Sequence, residues 1–316
     1  MVQEQSRRRF LQVAAAGATS VGMSSVASQH SLAVPAIGGP AAVIQTGTLV
    51  IDRSDRQTWN RVSFGTSFAL SPIVIVQPVT ARFAPVAVRK VTRRGFEFNF
   101  SGGLDDQELH FPQRLSYVAV ARGEYTMTGT SLSVEAGFMT CGHTPSTVTF
   151  DRPFDDAPVV FTQPQTTPAG EQIHRARAVT ETSPTDPQSC TVRLDGPTTT
   201  NPQTVGYLAF ERGTGVLDPP EEVPEELLSR YEVASTDRTL TDSWHSFQFH
   251  QRYDQPVVLV ESQSNQSGST AITHVSDLNS GGGSLRIEDG RPTRATSART
   301  ERIGYGVFEN EFVLFV

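Results

Sequence analysis

Two tryptophans, Trp59 and Trp244, each stand five residues ahead of a phenylalanine, Phe64 and Phe249. An indole offers a flat apolar face of the kind that stacks on a pyranose ring; the same ring can also plug the end of a β-sandwich. Pro145 fills the corresponding place in a third, similar stretch, so the tryptophan is not obligatory for folding. Arg89, Arg177 and His274 fall on what read as comparable strands. The arginines either reach sugar hydroxyls or pair with acids such as Glu97 on a wet strand face. The loop from Leu104 to His110 gathers Asp105, Asp106, Glu108 and His110. That set could hold calcium or hydroxyl groups, or be a solvated acidic loop, and calcium is the only cofactor the residues bring to mind.

Signatures of catalysis are missing from the chain. No G-x-S-x-G, H-E-x-x-H, phosphate-loop or dinucleotide pattern occurs, which favours a non-enzymatic protein and leaves an extracellular hydrolase as the weaker alternative. His245 and His250, five apart in a strand, point to opposite faces and make a poor metal pair. Cys141-Gly142-His143 lacks the two further ligands a zinc site needs.

Among 316 residues, 37% are hydrophobic and 19% charged, with 25 Gly and 20 Pro, the profile of a loop-rich all-β protein. The formal charge of -7 argues against nucleic acid or an anionic membrane as partner, since both call for a basic face. Lys90 is the single lysine among 26 basic residues.

At the N-terminus Ser6-Arg7-Arg8-Arg9-Phe10-Leu11 precedes a short apolar stretch rich in Ala, Gly and Ser. This is the pattern of a twin-arginine export signal carried by Arg7 and Arg8, with cleavage expected before Ser28. The apolar run is too short for a comfortable membrane span, and no other segment of spanning length follows. The expected destination is therefore outside the cell or on its surface, without a transmembrane helix in the mature chain.

Internal repetition is the strongest feature of the chain. Trp59-x4-Phe64-x3-Phe68-x3-Pro72-Ile-Val-Ile-Val returns as Phe150-x3-Phe154-x3-Pro158-Val-Val-Phe and as Trp244-x4-Phe249-x3-Tyr253-x2-Pro256-Val-Val-Leu-Val. Each copy closes on a tyrosine strand, around Tyr117, Tyr207 and Tyr305, lying 45, 49 and 49 residues after its proline. These anchors predict copies at 43–125, 130–214 and 231–316, preceded by a signal at 1–27 and a linker at 28–42. A Pro/Glu-rich linker at 215–230 separates the second copy from the third.

Period-two alternation runs through every copy: Phe96, Phe98 and Phe100 share one face against Glu97 and Asn99 on the other. The tyrosine strands are apolar on both faces, as in Val118 and Val120 beside Tyr117. A single small sandwich cannot cover both. The sequence therefore predicts three tandem small antiparallel β-sandwiches packed around a pseudo-threefold axis.

W-x4-F-x3-F-x3-P-V-V, then Val91-Thr92-x-x-Gly95-Phe96, then a closing aromatic strand, resembles the H-type lectin family in three divergent copies. The resemblance implies a small antiparallel sandwich that assembles in threes and binds galactose-type or N-acetylgalactosamine-type sugars. It also implies a site using a loop near the first strand and a residue of the middle strand, here Arg89, Arg177 or His274. The family's further aromatic is not found where the third strand of each copy runs into Ser101-Gly102, Gly196-Pro197 and Gly290-Arg291. Cys141 and Cys190 fall where such lectins carry one bridge, and an exported chain with two cysteines most simply forms one disulfide; two buried free thiols are the other outcome. The expected protein is an exported carbohydrate-binding one that recognises a cell-surface glycan. The alternative is a structural or adhesion protein that uses the same scaffold toward surface proteins.

Overall fold

A computed structural model describes residues 9–12, 41–51, 59–80, 86–100, 112–127, 130, 132–166, 177–183, 186–195, 202–217, 229–236, 240–264, 271–289 and 301–315. The described residues form strands and connections, with no helix. A short β1 (Arg9–Gln12) precedes the first copy, which contributes β2 (Ala42–Ile51), β3 (Asn60–Ser63), β4 (Ile73–Pro78), β5 (Val86–Thr92), β6 (Gly95–Phe100), β7 (Gln113–Val120) and β8 (Gly123–Thr126). The second gives β9 (Ser133–Cys141), β10 (Ser146–Thr149), β11 (Val159–Pro164), β12 (Arg177–Glu181), β13 (Ser189–Asp195), β14 (Gln203–Phe210) and β15 (Gly213–Leu217). The third gives β16 (Ser229–Ser235), β17 (His245–Gln248), β18 (Val257–Ser262), β19 (Ala271–Asn279), β20 (Gly282–Asp289), β21 (Ile303–Phe308) and β22 (Phe312–Phe315). Both β15 and β16 reach into the 215–230 segment read as linker.

In each copy a three-stranded sheet, β3-β6-β5, β10-β13-β12 or β17-β20-β19, faces a larger sheet across its own apolar cluster. The F-x3-F spacing has a clear cause. Phe64 and Phe68 donate their backbone N–H groups to Arg94 O and Arg93 O in the β5–β6 turn. Phe150 and Phe154 do the same to Gln188 O and Pro187 O, and Phe249 and Tyr253 to Gly281 O and Ser280 O. The paired rings then meet edge to face, with centroids 5.0, 5.2 and 5.5 Å apart.

The larger sheets exchange strands. Their orders are β1-β22-β2-β7-β4, β11-β14-β9-β8 and β15-β16-β21-β18. Thus β8, at the end of the first copy, pairs with β9 of the second, and β15 of the second pairs with β16 of the third. Closing the circuit, β22 at the C-terminus returns to β2 of the first copy. Thr46 fixes that return: its hydroxyl donates to Glu309 O at 2.6 Å and accepts Phe312 N–H at 3.1 Å. On the outer side of β22 lies β1, running parallel to it.

The tyrosine strands β7, β14 and β21 are buried on both faces. Their second faces meet in a cluster that draws Ile73, Val118 and Val120 from the first copy, Phe161, Leu208 and Phe210 from the second, and Leu259 and Phe308 from the third. Phe312 and Leu314 of β22 complete it.

The two cysteines are free and buried, which corrects the expected disulfide. Gly142, next to Cys141, accepts the backbone N–H of Leu194, whereas Cys190 lies opposite Val148. Cys190 is therefore four residues back along β13 from the residue that Gly142 bonds.

Candidate ligand-binding face

Every three-stranded sheet turns one face to its core and the other outward. On β3 alternation sends Val62 inward and Trp59, Arg61 and Ser63 outward; on β6 it sends Glu97 and Asn99 outward. Gly95 makes the pairing possible, because a Cβ there would stand 2.0 Å from Val62 O; Gly282 is in the same position, 2.3 Å from Phe247 O.

Ladder registers define the rows across this face. Arg61 lies opposite Glu97, and Glu97 opposite Arg89, so one row reads Arg61–Glu97–Arg89. Beyond it Asn99 lies opposite Ala87, and Trp59 directly precedes β3, whose first residue Asn60 lies opposite Phe98. A bulge follows Arg89, with Lys90 at a φ of 47°, and it brings Lys90 back to the same carboxylate. Arg89 Nε donates to Glu97 Oε2 at 2.9 Å and Lys90 Nζ to Oε1 at 3.2 Å. Desolvation raises the Glu97 carboxyl's affinity for a proton, but the two cations outweigh it and hold the group below its ordinary range.

Arg89 is also stacked on Trp59, its guanidinium carbon 3.7 Å from the ring centroid. The stack joins side chains from either side of β6, on which Asn99 is only 2% exposed although it points outward. The third copy repeats the device with a different arginine: Arg286 of β20 holds its guanidinium carbon 4.8 Å from the Trp244 ring. Trp244 is one of the exposed large hydrophobic residues. The two tryptophans thus hold one position in the fold, and each is paired with an arginine of its sheet.

Other expected site residues are not brought together. Arg89 is opposite Glu97, Arg177 opposite Asp195 and His274 opposite Arg286, which are three different levels of their sheets. His274 is buried, 6% exposed. Asp106 and His110, like Arg7 and Arg8, lie outside the described residues. Among the described residues no group of three or more His, Cys, Asp or Glu could hold a metal ion. None of their helices, there being none, is long and apolar enough to cross a membrane.

Sequence reading missed a pair of buried carboxylates at equivalent positions, Glu135 and Glu232. Glu135 Oε1 accepts the Tyr207 hydroxyl at 2.8 Å and its Oε2 the Asp151 N–H at 2.8 Å. Glu232 Oε1 likewise accepts Tyr305 at 2.8 Å, and Oε2 the His250 N–H at 2.7 Å, while His250 Nδ1 lies 2.8 Å from Oε1. Their place in the first copy belongs to Gln45, which bonds the Thr66 backbone. Val134-Glu135-Ala136 and Tyr231-Glu232-Val233, a lone acid between core residues in each case, were the available signal. These groups anchor the F-x3-F/Y loop to the tyrosine strand, so their role is to position the sheet that bears the tryptophan.

Compared with protein-family models, with curated proteins and with solved structures, the chain gives no match.

Proposed function

We propose that the protein is an exported, non-catalytic carbohydrate-binding protein whose three sandwich units are related by a pseudo-threefold axis, in the manner of the lectin family its motifs resemble. The observation that carries the reading is the Trp59–Arg89 stack and its counterpart Trp244–Arg286, on the outer faces of equivalent sheets. An indole beside a guanidinium offers an apolar plate edged with donors, which fits the C–H face and hydroxyl rim of a pyranose. Two such faces on one chain would strengthen individually weak binding to a multivalent glycan. The cyclic order of exchanged strands supports the threefold relation.

A glycan-array screen of the folded protein tests the reading. Specific signals that weaken in Trp59→Ala and Trp244→Ala, and vanish in the double variant, are expected. A blank array from folded protein overturns the reading.

One observation favours a second reading, a surface adhesion or structural protein. Among the described residues, the outer edges of β8 and β15 carry no neighbouring strand, and the equivalent β22 carries only β1, which lies within the expected export signal. Open edges accept strands from other chains. Self-association in sedimentation experiments, lost on placing proline in β15, would support it.

A further inference from the structure

We propose that the outer face of the β3-β6-β5 sheet binds an acidic polysaccharide, a sugar chain bearing carboxylate or sulfate groups. The inference rests on the carbohydrate reading above and names the ligand class for the first copy.

On a chain of formal charge -7, this one sheet is basic. Its described residues include Arg61, Arg89, Lys90, Arg93 and Arg94 against a single acid, Glu97. Arg61, Arg93 and Arg94 are exposed, and the Lys90 side chain is 64% exposed. Arg61 and Arg89 sit on either side of β6, two strand spacings or about 9.6 Å apart. That is close to the Debye length of about 8 Å at physiological salt, so their fields overlap over the sheet. Glu97 is already engaged by Arg89 and Lys90, and it offsets only one of the five positive charges.

The other two copies act as internal controls for what the fold itself requires. The row Arg61–Glu97–Arg89 corresponds to Thr147–Thr191–Glu181 in the second copy and Ser246–Ser284–Ser276 in the third. At the hairpin turn, Arg93 and Arg94 correspond to Pro187 and Gln188, and to Ser280 and Gly281, which offer the same backbone carbonyls to the same loop. The strained bulge is likewise independent of charge, since Asp277 takes a φ of 54° where Lys90 takes 47°. Neither of the other copies thus carries a cation at these positions. In the first copy Arg89 and Lys90 share Glu97 and Arg93 Nε donates to Phe68 O at 2.8 Å, while Arg61 and Arg94 stand exposed, so the surplus of positive charge answers to something outside the fold.

Its chemistry points to anions spread along a flat ligand. Arginine forks match carboxylate and sulfate oxygens, and the lysine adds a mobile point charge. Trp59, stacked on Arg89, supplies the apolar plate for the sugar ring that carries the anion. A neutral galactose-type sugar would engage Arg89 as a donor but leave the surplus positive charge of the face unneutralised.

The test is affinity electrophoresis and titration calorimetry of the full chain with polygalacturonate and with its fully methyl-esterified form, at low and high salt. We expect binding to polygalacturonate that is at least about ten-fold tighter than to the ester and that weakens with salt. The exposed triple variant Arg61→Gln/Lys90→Gln/Arg94→Gln, with unchanged melting temperature, should lose at least about ten-fold. Arg252→Gln, at an exposed arginine of the third copy outside the proposed faces, should leave polygalacturonate binding in place. Equal affinity for the ester overturns the inference and leaves the carbohydrate reading standing. No binding to either polymer, together with a blank glycan array, overturns both. Tighter binding to duplex DNA or to phosphatidylglycerol vesicles than to polygalacturonate also overturns the inference, by assigning the basic face to another polyanion.

Discussion

Glu135, 3% exposed, is a carboxyl on which burial and hydrogen bonding pull in opposite directions. Desolvation dominates and raises its pKa, although the Tyr207 hydroxyl and the Asp151 N–H both favour the charged form. A native carboxyl raised above its unfolded value binds more protons than the unfolded chain between the two pKa values. Its contribution therefore makes stability fall as pH rises from the ordinary carboxyl range through the raised value. Gln45, at the same position in the first copy, avoids this cost by being neutral. Glu135→Gln should accordingly raise the melting temperature at pH 7 and change it little near pH 4; a loss of stability at pH 7 would sink the argument. The cysteines give a second prediction at this scale. Burial pushes Cys141 up to about 11 and Cys190 to about 12, so both are protonated at neutral pH. Ellman's reagent should find no reactive thiol in the native protein and two after denaturation without reductant; two missing thiols would mean a bridge. Trp59, Trp244 and Arg89 were legible as candidates because residue type alone marks them. Their partnership was not, since Trp59 meets a residue thirty positions away across an intervening strand. Sequence alignment made Arg89, Arg177 and His274 equivalent, but bulges and unequal loops offset the true registers.

Between copies, the edge strands β4, β11 and β18 are fastened by side chains that stand one residue past their ends. Gln263 clasps the Val160 backbone of the second copy, Nε2 donating to its O at 2.8 Å and Oε1 accepting its N–H at 3.0 Å. Gln165 makes the same approach to Val74 of the first copy, donating to its O at 2.7 Å. Each glutamine lies against a glycine of a tyrosine strand: a Cβ on Gly206 would stand 2.7 Å from Gln165 Nε2, and one on Gly304 2.9 Å from Gln263. The third interface is built differently. Val79 replaces the glutamine and packs into the third copy's core, and Ser116 replaces the glycine, its hydroxyl accepting Val258 N–H at 3.0 Å. Glutamine-with-glycine and valine-with-serine are thus two solutions to one contact. Ser116→Ala should cost about 1–3 kcal/mol by stranding a buried N–H. Val79→Gln alone should also destabilise, by burying an amide against the Ser116 side chain. Adding Ser116→Gly should restore at least about 1 kcal/mol, seen as non-additivity in a double-mutant cycle of urea denaturation; strict additivity would refute the equivalence. At this scale the sequence announced the repeats and the doubly buried tyrosine strands. It hid which strands belong together, because β8, β15 and β22 are four or five residues long and carry too little periodicity to assign a sheet.

Across the whole molecule, the strand exchange makes the sequence repeat and the folded unit differ by one strand. A copy cut at its sequence boundaries loses the edge strand supplied by its predecessor and keeps one that has no sheet to join. The central cluster takes side chains from all three copies, so none of them can bury its second face alone. A chain whose copies share one cluster should unfold as one cooperative body, unlike a linear array whose repeats melt in turn. Trp59 reports on the first copy and Trp244 on the third, which makes the claim measurable. In Trp59→Phe and Trp244→Phe, fluorescence urea curves read from the single remaining tryptophan should coincide with each other and with circular dichroism. Phe312, 2% exposed in β22, joins the two reporters, because it leaves the third copy and packs in the cluster above the first. Phe312→Ala should cost about 3–5 kcal/mol as a buried aromatic truncation and move both fluorescence midpoints together. If only the Trp59 curve moved, the copies would be separable units joined by a strand. A common shift would mean that the face bearing Trp59 and the face bearing Trp244 are held at a fixed separation for as long as the protein is folded, and that is the geometry multivalent binding requires.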